Sequence, residues 1–280
     1  MGSASVTDLI SVFFLVFPIC VGLVLRGVER RYPLSKLCLP DSKHLIVIIA
    51  IGSFSFFITH IMMLFIQDRV ILAFNKLQFL SIAHLKIPPA FVVFVGFFTC
   101  DFINYALHVM SHKIPLFWAF HKIHHADEQV SSLTSFFHHP GEALISAPIT
   151  LAIYVLLGMP VLSIMLYALC SVILTAISHA NIAFPQWTNV TIGRVFVMPS
   201  FHRVHHSRDA IEGNSNFGNI FVFWDYIFRT ELRMDHALWK YVAFGLPKAR
   251  SVAPFTFRNL LFYCVINRQI ADKRSKRSAS

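Results

Sequence analysis

Long apolar runs broken by short polar stretches dominate the first two thirds of the chain. The first, Leu9 to Leu25, is continuously apolar and gives way to an arginine-rich stretch. With no basic region before it and no obvious cleavage site, it predicts an anchor rather than a cleaved leader. A second run extends from about Leu45 to Ile66, and a third from Pro88-Pro89 to about Leu107. A helical hairpin follows, from Leu144 to Leu157, with a break at Gly158-Met159-Pro160, then from Val161 to Ile177. Each full segment approaches the roughly 20 residues a helix needs to cross a bilayer, and the shorter Leu144 arm is expected to dip in. The pattern predicts an all-α, polytopic membrane bundle in three parts. These are N-terminal spans and loops (1–87), a central domain (88–232) and a C-terminal cytosolic segment with a basic tail (233–280).

Composition agrees. Of 280 residues 56% are hydrophobic and only 14% charged, against roughly 45–50% and about 25% in soluble domains. The net charge of +10 raises nucleic-acid binding as a first alternative. The basic residues, however, sit in short groups beside apolar segments, as in Arg26, Arg30, Arg31, Lys36 and Lys43. That placement fits the positive-inside rule and puts the first loop in the cytosol. The loop from Gln67 to Ile87 holds fewer basic residues (Arg69, Lys76 and Lys86). Counting crossings then brings the end of the third span, and everything after His179, to the cytosolic face. The tail Lys273-Arg274-Ser275-Lys276-Arg277 fits contact with anionic headgroups as well as a solvated tail. The five cysteines are scattered without a CxxC pair, so they read as small apolar residues rather than disulfides or thiolate ligands. Gly2 opens no myristoylation motif, because Val6 stands where Ser or Thr is needed.

The candidate chemistry lies in the histidines, of which there are 15. His108 and His112 form HxxxH; His121, His124 and His125 form HxxHH; His202, His205 and His206 form a second HxxHH. At this histidine frequency one HxxHH arises by chance in about one such chain in 25, and two on the order of once in a thousand. Residues three and four apart share a helix face. His108/His112, His121/His125 and His202/His206 can thus each aim two imidazoles at one point, while His124 and His205 turn to a neighbouring point. Together they supply eight nitrogens, enough for two metal ions, and neutral imidazole suits iron, zinc, copper or nickel. A structural zinc site would need only four ligands, often cysteines. His44, His60, His84 and His236 lie outside the clusters and read as ordinary polar residues.

Polar neighbours extend the set. Asp101, Tyr105, His108 and His112 make one helical stripe. A carboxylate as deep as Asp101 is costly unless paired, so it is expected to hold an imidazole N–H directly or through Tyr105. His138-His139-Pro140-Gly141-Glu142 and His179-Ala180-Asn181 add His179 and His139 as further candidate ligands, His138 less so, with Glu142 and Asn181 behind them. From these residues alone three functions stay open: an oxygenase, a histidine-lined metal transporter and a zinc-dependent lipid hydrolase. Against the transporter, the clusters flank the spans and no inverted repeat is visible. Against the hydrolase, Lys122, Ile123, Arg203 and Val204 fill the positions where HExxH carries its glutamate.

Over roughly Pro88 to Thr230 the chain resembles the fatty acid hydroxylase/sterol desaturase superfamily. The resemblance rests on Asp101 to His112, Leu116 to His125, Thr134 to Glu142, His179 to Asn181, Phe201 to Ser207, Asn216-Phe217-Gly218 and Trp224-Asp225. It implies a helical membrane domain with a cytosolic di-iron centre that hydroxylates or desaturates a lipid. Two iron ions are the implied cofactors, with zinc able to substitute in overexpressed protein. An external donor of the cytochrome b5 or ferredoxin type is the implied partner. The chain departs from the family pattern at Val109 and Phe137, where arginine is common, at Tyr226, where arginine usually follows Trp-Asp, and at Arg229, which replaces a glycine.

Overall fold

The apolar runs fold into long helices that extend beyond the runs themselves. The computed structural model describes residues 6–36, 39–75, 86, 88–234, 241–246 and 255–263. Helix α1 spans Val6–Arg31, α2 Ser42–Asn75 and α3 Pro89–Lys113. A short α4 (Pro115–His121) leads to the hairpin of α5 (Pro140–Leu156) and α6 (Val161–His179). Three short helices follow, α7 (Gln186–Val190), α8 (Pro199–His205) and α9 (Phe223–Phe228). Proline occupies the first turn of α3, α4, α5 and α8, where its missing N–H costs nothing and its fixed φ favours helix entry. Among the described residues there are isolated β-bridges but no strand.

Ser42–Ile66, Pro89–Lys113 and Val161–His179 are long and apolar enough to cross a membrane, whereas α5 is shorter. Large apolar side chains such as Phe65 and Val161 are more than two-thirds exposed. A helix that turns such residues outward suits hydrocarbon rather than water, and the chain is an integral membrane protein. The sequence placed Arg26 in a basic loop, but α1 continues through it. Arg26 is buried, bonded to the Pro40 carbonyl and paired with Glu29, so its charge is spent inside the fold. His84, His236 and the basic tail lie outside the described residues.

Helix α2 packs along α5, α3 packs on α6, and the 3-10 turn Ser132–Phe136 wedges between α1, α2 and α6. Two glycines permit that wedge: a Cβ at Gly22 would strike Leu133, and one at Gly52 would strike Phe136. The hairpin reverses at Gly158, whose φ of 55° is readily open only to glycine. From the C-terminal segment, Leu246, Leu260 and Tyr263 return to pack with Ile48, Ile51, Ile123, Leu133 and Phe137.

Candidate metal centre

Nine histidines converge in two adjacent groups. His108 and His112 sit one turn apart near the end of α3. His121 is the last residue of α4; the chain then turns at Lys122, and His124 and His125 ride a separate 3-10 turn, His124–Ala126. The second HxxHH runs through α8 to His206 at its C-cap. The first HxxHH therefore reaches its place by a break in the helix rather than by a continuous helical face. The first group holds His108, His112, His121, His125 and His205; the second holds His124, His179, His202 and His206. In each, the ligand atoms lie within 4.8 Å of one another. His124 and His205 do turn away from their nearest pairs, as the spacing predicts.

Both groups fit a metal by the state of their nitrogens. In the first, the Nε2 atoms of all five histidines are buried without a hydrogen-bond partner. Three are oriented from behind: His108 Nδ1 donates to the Phe217 carbonyl at 2.9 Å, His121 Nδ1 to Glu142 Oε1 at 2.8 Å and His205 Nδ1 to the Ser215 carbonyl at 2.7 Å. A carbonyl or carboxylate can only accept, so the proton sits on Nδ1 and the Nε2 lone pair faces inward. In the second group, His124 Nδ1 donates to Phe137 O and His179 Nδ1 to Thr175 O. Their bare Nε2 atoms nevertheless stand only 3.2 Å apart, and those of His202 and His206 lie 3.1 Å from that of His179. The lone pairs of His124 and His179, both bare at Nε2, repel at that distance unless a cation lies between them. Separations of about 3.3 Å are what a tetrahedral set around an ion at about 2.0 Å produces.

The electrostatics point the same way. Burial first, and repulsion among the imidazoles second, hold His124, His125, His202, His205 and His206 well below their ordinary pKa of 6.5. All five are neutral donors at neutral pH, the form a metal requires.

The other predicted residues divide. Glu142 stands behind the site as expected, with Oε1 on His121 and Oε2 on His138 at 3.1 Å. His138 itself stacks on His124 at 4.3 Å between ring centroids. His139 turns away: its Nδ1 accepts from the Gly141 N–H as the N-cap of α5, and its Nε2 faces the Leu261 carbonyl. It joins neither group. Asp101 touches no imidazole, because its carboxylate accepts from Ile220 N–H and from Trp224 Nε1 at 2.9 Å. Tyr105 bonds Thr230, and the Asn181 side chain bonds the backbone of Ser35. Asp101 thus acts at one remove, tying down the loop that carries the Phe217 carbonyl behind His108. Asp225 does the same by accepting from the Phe217 and Gly218 N–H groups.

Two residues escaped the sequence reading. Glu29, fully buried, accepts from the backbone N–H of Ser132 and of Asn181. Arg203, between two clustered histidines, is buried and donates to the carbonyls of Val130 and His179. A lone carboxylate closing an apolar helix was the available signal for Glu29. Nothing local marked Arg203. A cavity of about 360 Å³ opens beside the groups, lined by His108, His121, His124, His179 and His202 and by side chains of α3, α5 and α6.

Comparison with known proteins converges on the same segment. Residues 93–230 match the family model described as fatty acid hydroxylase. An ornithine lipid hydroxylase from Rhizobium tropici is 27% identical over 51% of this chain and 42% of its own length. An alkylglycerol monooxygenase from Caenorhabditis elegans is 33% identical over 49% of this chain and 26% of its own. Methylsterol monooxygenase 2-2 of Arabidopsis thaliana is 29% identical over 47% and 48%. The chain thus spans less than half the length of these relatives, and no solved structure matches it. The matched segment contains every histidine of both groups, which places both within a fatty acid hydroxylase domain of this chain.

Proposed function

We propose that the protein is an O2-dependent oxygenase that hydroxylates or desaturates a C–H bond of a membrane lipid, with one iron ion in each histidine group. The observation that carries this reading is the convergence of nine imidazoles, seven buried and two half-buried, on two adjacent points within a fatty acid hydroxylase domain. Iron bound there would supply reductive activation of dioxygen and removal of hydrogen from an unactivated carbon. The chain's own residues do the rest. His108, His112, His121, His125 and His205 would hold one ion, and His124, His179, His202 and His206 the other. The carbonyls of Phe217, Ser215, Phe137 and Thr175 and the carboxylate of Glu142 fix the imidazoles in the tautomer that offers Nε2. The cavity admits the lipid, and the packed helices around it exclude water.

Electrons would come from a separate protein of the cytochrome b5 or ferredoxin type. The greater number of Lys and Arg residues between the first two apolar runs than between the second and third supports a cytosolic histidine face. A zinc hydrolase fits less well. It needs an open metal position and a free carboxylate base, and both oxygens of Glu142 are engaged by His121 and His138. Protein purified with iron supplied and no chelator is expected to hold two iron ions per chain and to consume O2 as lipid product forms. A folded preparation that never holds more than one metal ion, or that turns lipid over without O2, overturns the reading.

A further inference from the structure

The four-histidine group leans on helix α1, which precedes the matched residues 93–230. A single oxygen makes the connection. Glu29 Oε1 accepts from the Ser132 N–H at 2.7 Å and from the Asn181 N–H at 3.0 Å. Each of those amides belongs to a segment that builds the group. Asn181 follows closely on His179, and Ser132 opens the 3-10 turn whose C-cap is Phe137, the residue whose carbonyl holds His124 Nδ1. That turn is tied within itself. The Ser131 N–H donates to Thr134 Oγ1, and the N–H groups of Thr134 and Phe137 donate to the carbonyls of Ser131 and Thr134. Fixing Ser132 therefore fixes the carbonyl behind His124, and fixing Asn181 fixes the backbone that carries His179. The two imidazoles so placed are the pair whose Nε2 atoms stand 3.2 Å apart.

Arg203 ties the same two segments from α8. Its Nη1 donates to the carbonyls of Val130 at 2.9 Å and of His179 at 3.0 Å. The chain just after α1 adds a strap. The Leu34 N–H donates to the Asn181 carbonyl, the Ala183 N–H donates to the Tyr32 carbonyl, and the Asn181 side chain bonds both the N–H and the carbonyl of Ser35. The five-histidine group hangs on other supports, the carbonyls of Phe217 and Ser215 and the carboxylate of Glu142. Glu29 itself is fully buried, with Arg26 at 3.6 Å. A charge is costly to bury unless it is paired and hydrogen-bonded, and an N–H bonded to a charged acceptor is held roughly twice as strongly as one bonded to a neutral acceptor. Glu29 therefore grips the two turns more firmly than a neutral side chain in its place would.

We propose that Glu29 is a positioning residue of the metal centre: through Ser132 and Asn181 it sets His124 and His179, so the affinity of the four-histidine group for its ion depends on α1. The inference rests on the oxygenase reading only in taking that group to hold an ion; neither O2 nor lipid enters the test. The full chain in nanodiscs is titrated with zinc against a chromophoric chelator. The proteins compared are wild type, Glu29→Ala, Glu29→Gln, His179→Ala and the double variant Glu29→Ala/His179→Ala. Glu29→Ala is expected to weaken binding of one ion by about tenfold, the low end for groups that orient ligands, and to leave the other unchanged. Glu29→Gln keeps an acceptor oxygen but not its charge, so it should weaken the same ion by a smaller factor. In the double variant the remaining ion should bind as in His179→Ala alone, because Glu29 acts on the site that His179→Ala has already emptied. A loss shared equally by both ions, no loss in either Glu29 variant, or a further loss in the double variant would overturn the proposal. If Glu29→Ala does not fold, Glu29→Gln decides by the same criterion, a loss confined to one ion. Such a loss in a protein without O2-dependent turnover would support the proposal while sinking the oxygenase reading.

Discussion

The two histidine groups are built to different tolerances. The first draws five imidazoles from α3, the α4 turn and α8, and all five Nε2 atoms are unpartnered. The second has four, and it depends on a single residue of α6: His179 Nε2 is the atom to which those of His124, His202 and His206 all stand within 3.2 Å. Support from behind differs too. Three of the five Nδ1 atoms in the first group have acceptors, whereas the Nδ1 atoms of His202 and His206 are buried without one. Five ligands can lose one and still present four; four cannot. The second ion is therefore the more fragile, and His179 is its keystone.

The largest effect should come from the four-histidine group. His124→Ala is expected to lower lipid product by more than about 100-fold, because ligands that hold a metal in common act as a unit, and His205→Ala, whose group keeps four imidazoles, by less. His139→Ala should keep most activity, since His139 caps α5 instead. Product assays at matched expression check this; near-normal turnover in both ligand variants would break the comparison.

Acid should act next. His124, His125, His202, His205 and His206 stay neutral in the fold, while an unfolded chain protonates them near 6.5. Stability present above pH 6.5 is thus lost as pH falls below it, by up to about 1.4 kcal/mol per pH unit for each such group. The Tm of metal-free protein should drop between pH 7 and pH 5. A flat or rising profile would mean that these side chains are not buried as neutral imidazoles.

Carboxylates behind the site should matter less than ligands. Glu142→Gln, which weakens the hold on His121, is expected to cost about 10–100-fold in activity or metal affinity, as is typical of groups that orient ligands. Asp101→Asn should cost less, because it acts through Ile220 and Trp224 rather than on an imidazole. Metal titration of both variants ranks them, and a greater loss from Asp101→Asn would reverse the assignment.

The smallest effect concerns Arg229. Its φ of 56° places it in the left-handed region at the end of α9, which gives a physical reason for glycine being usual there. Arg229→Gly should raise stability by up to about 1 kcal/mol in chemical unfolding, with turnover unchanged. A loss of stability would mean that the side chain does something the strain argument omits.

Much of this was legible before any coordinates. The long apolar helices declare themselves by length. HxxxH and the second HxxHH declare their targets by spacing, because three- and four-residue steps on one helix fix a shared direction, whereas the first HxxHH converges through the break after His121. What spacing leaves open is anything decided by distant chain. His138 and His139 are neighbours, and only the N-cap of α5 sends one toward the site and the other to Leu261. Asp101 looked like a partner for the histidines on its own helix, but the 217–225 loop, more than 100 residues on, claims its oxygens. Arg203 sits inside a motif and serves Val130 and the carbonyl of His179, contacts that exist only once α6, α8 and the turn before Ser131 have met.

The most direct test of two separate metal sites is the metal content of His179→Ala beside the wild type, both purified with iron supplied and without chelators. Two sites predict two metal ions per wild-type chain and one in the variant, the remaining ion held by the five-histidine group. A variant that still binds two, or a wild type that never exceeds one, would contradict it.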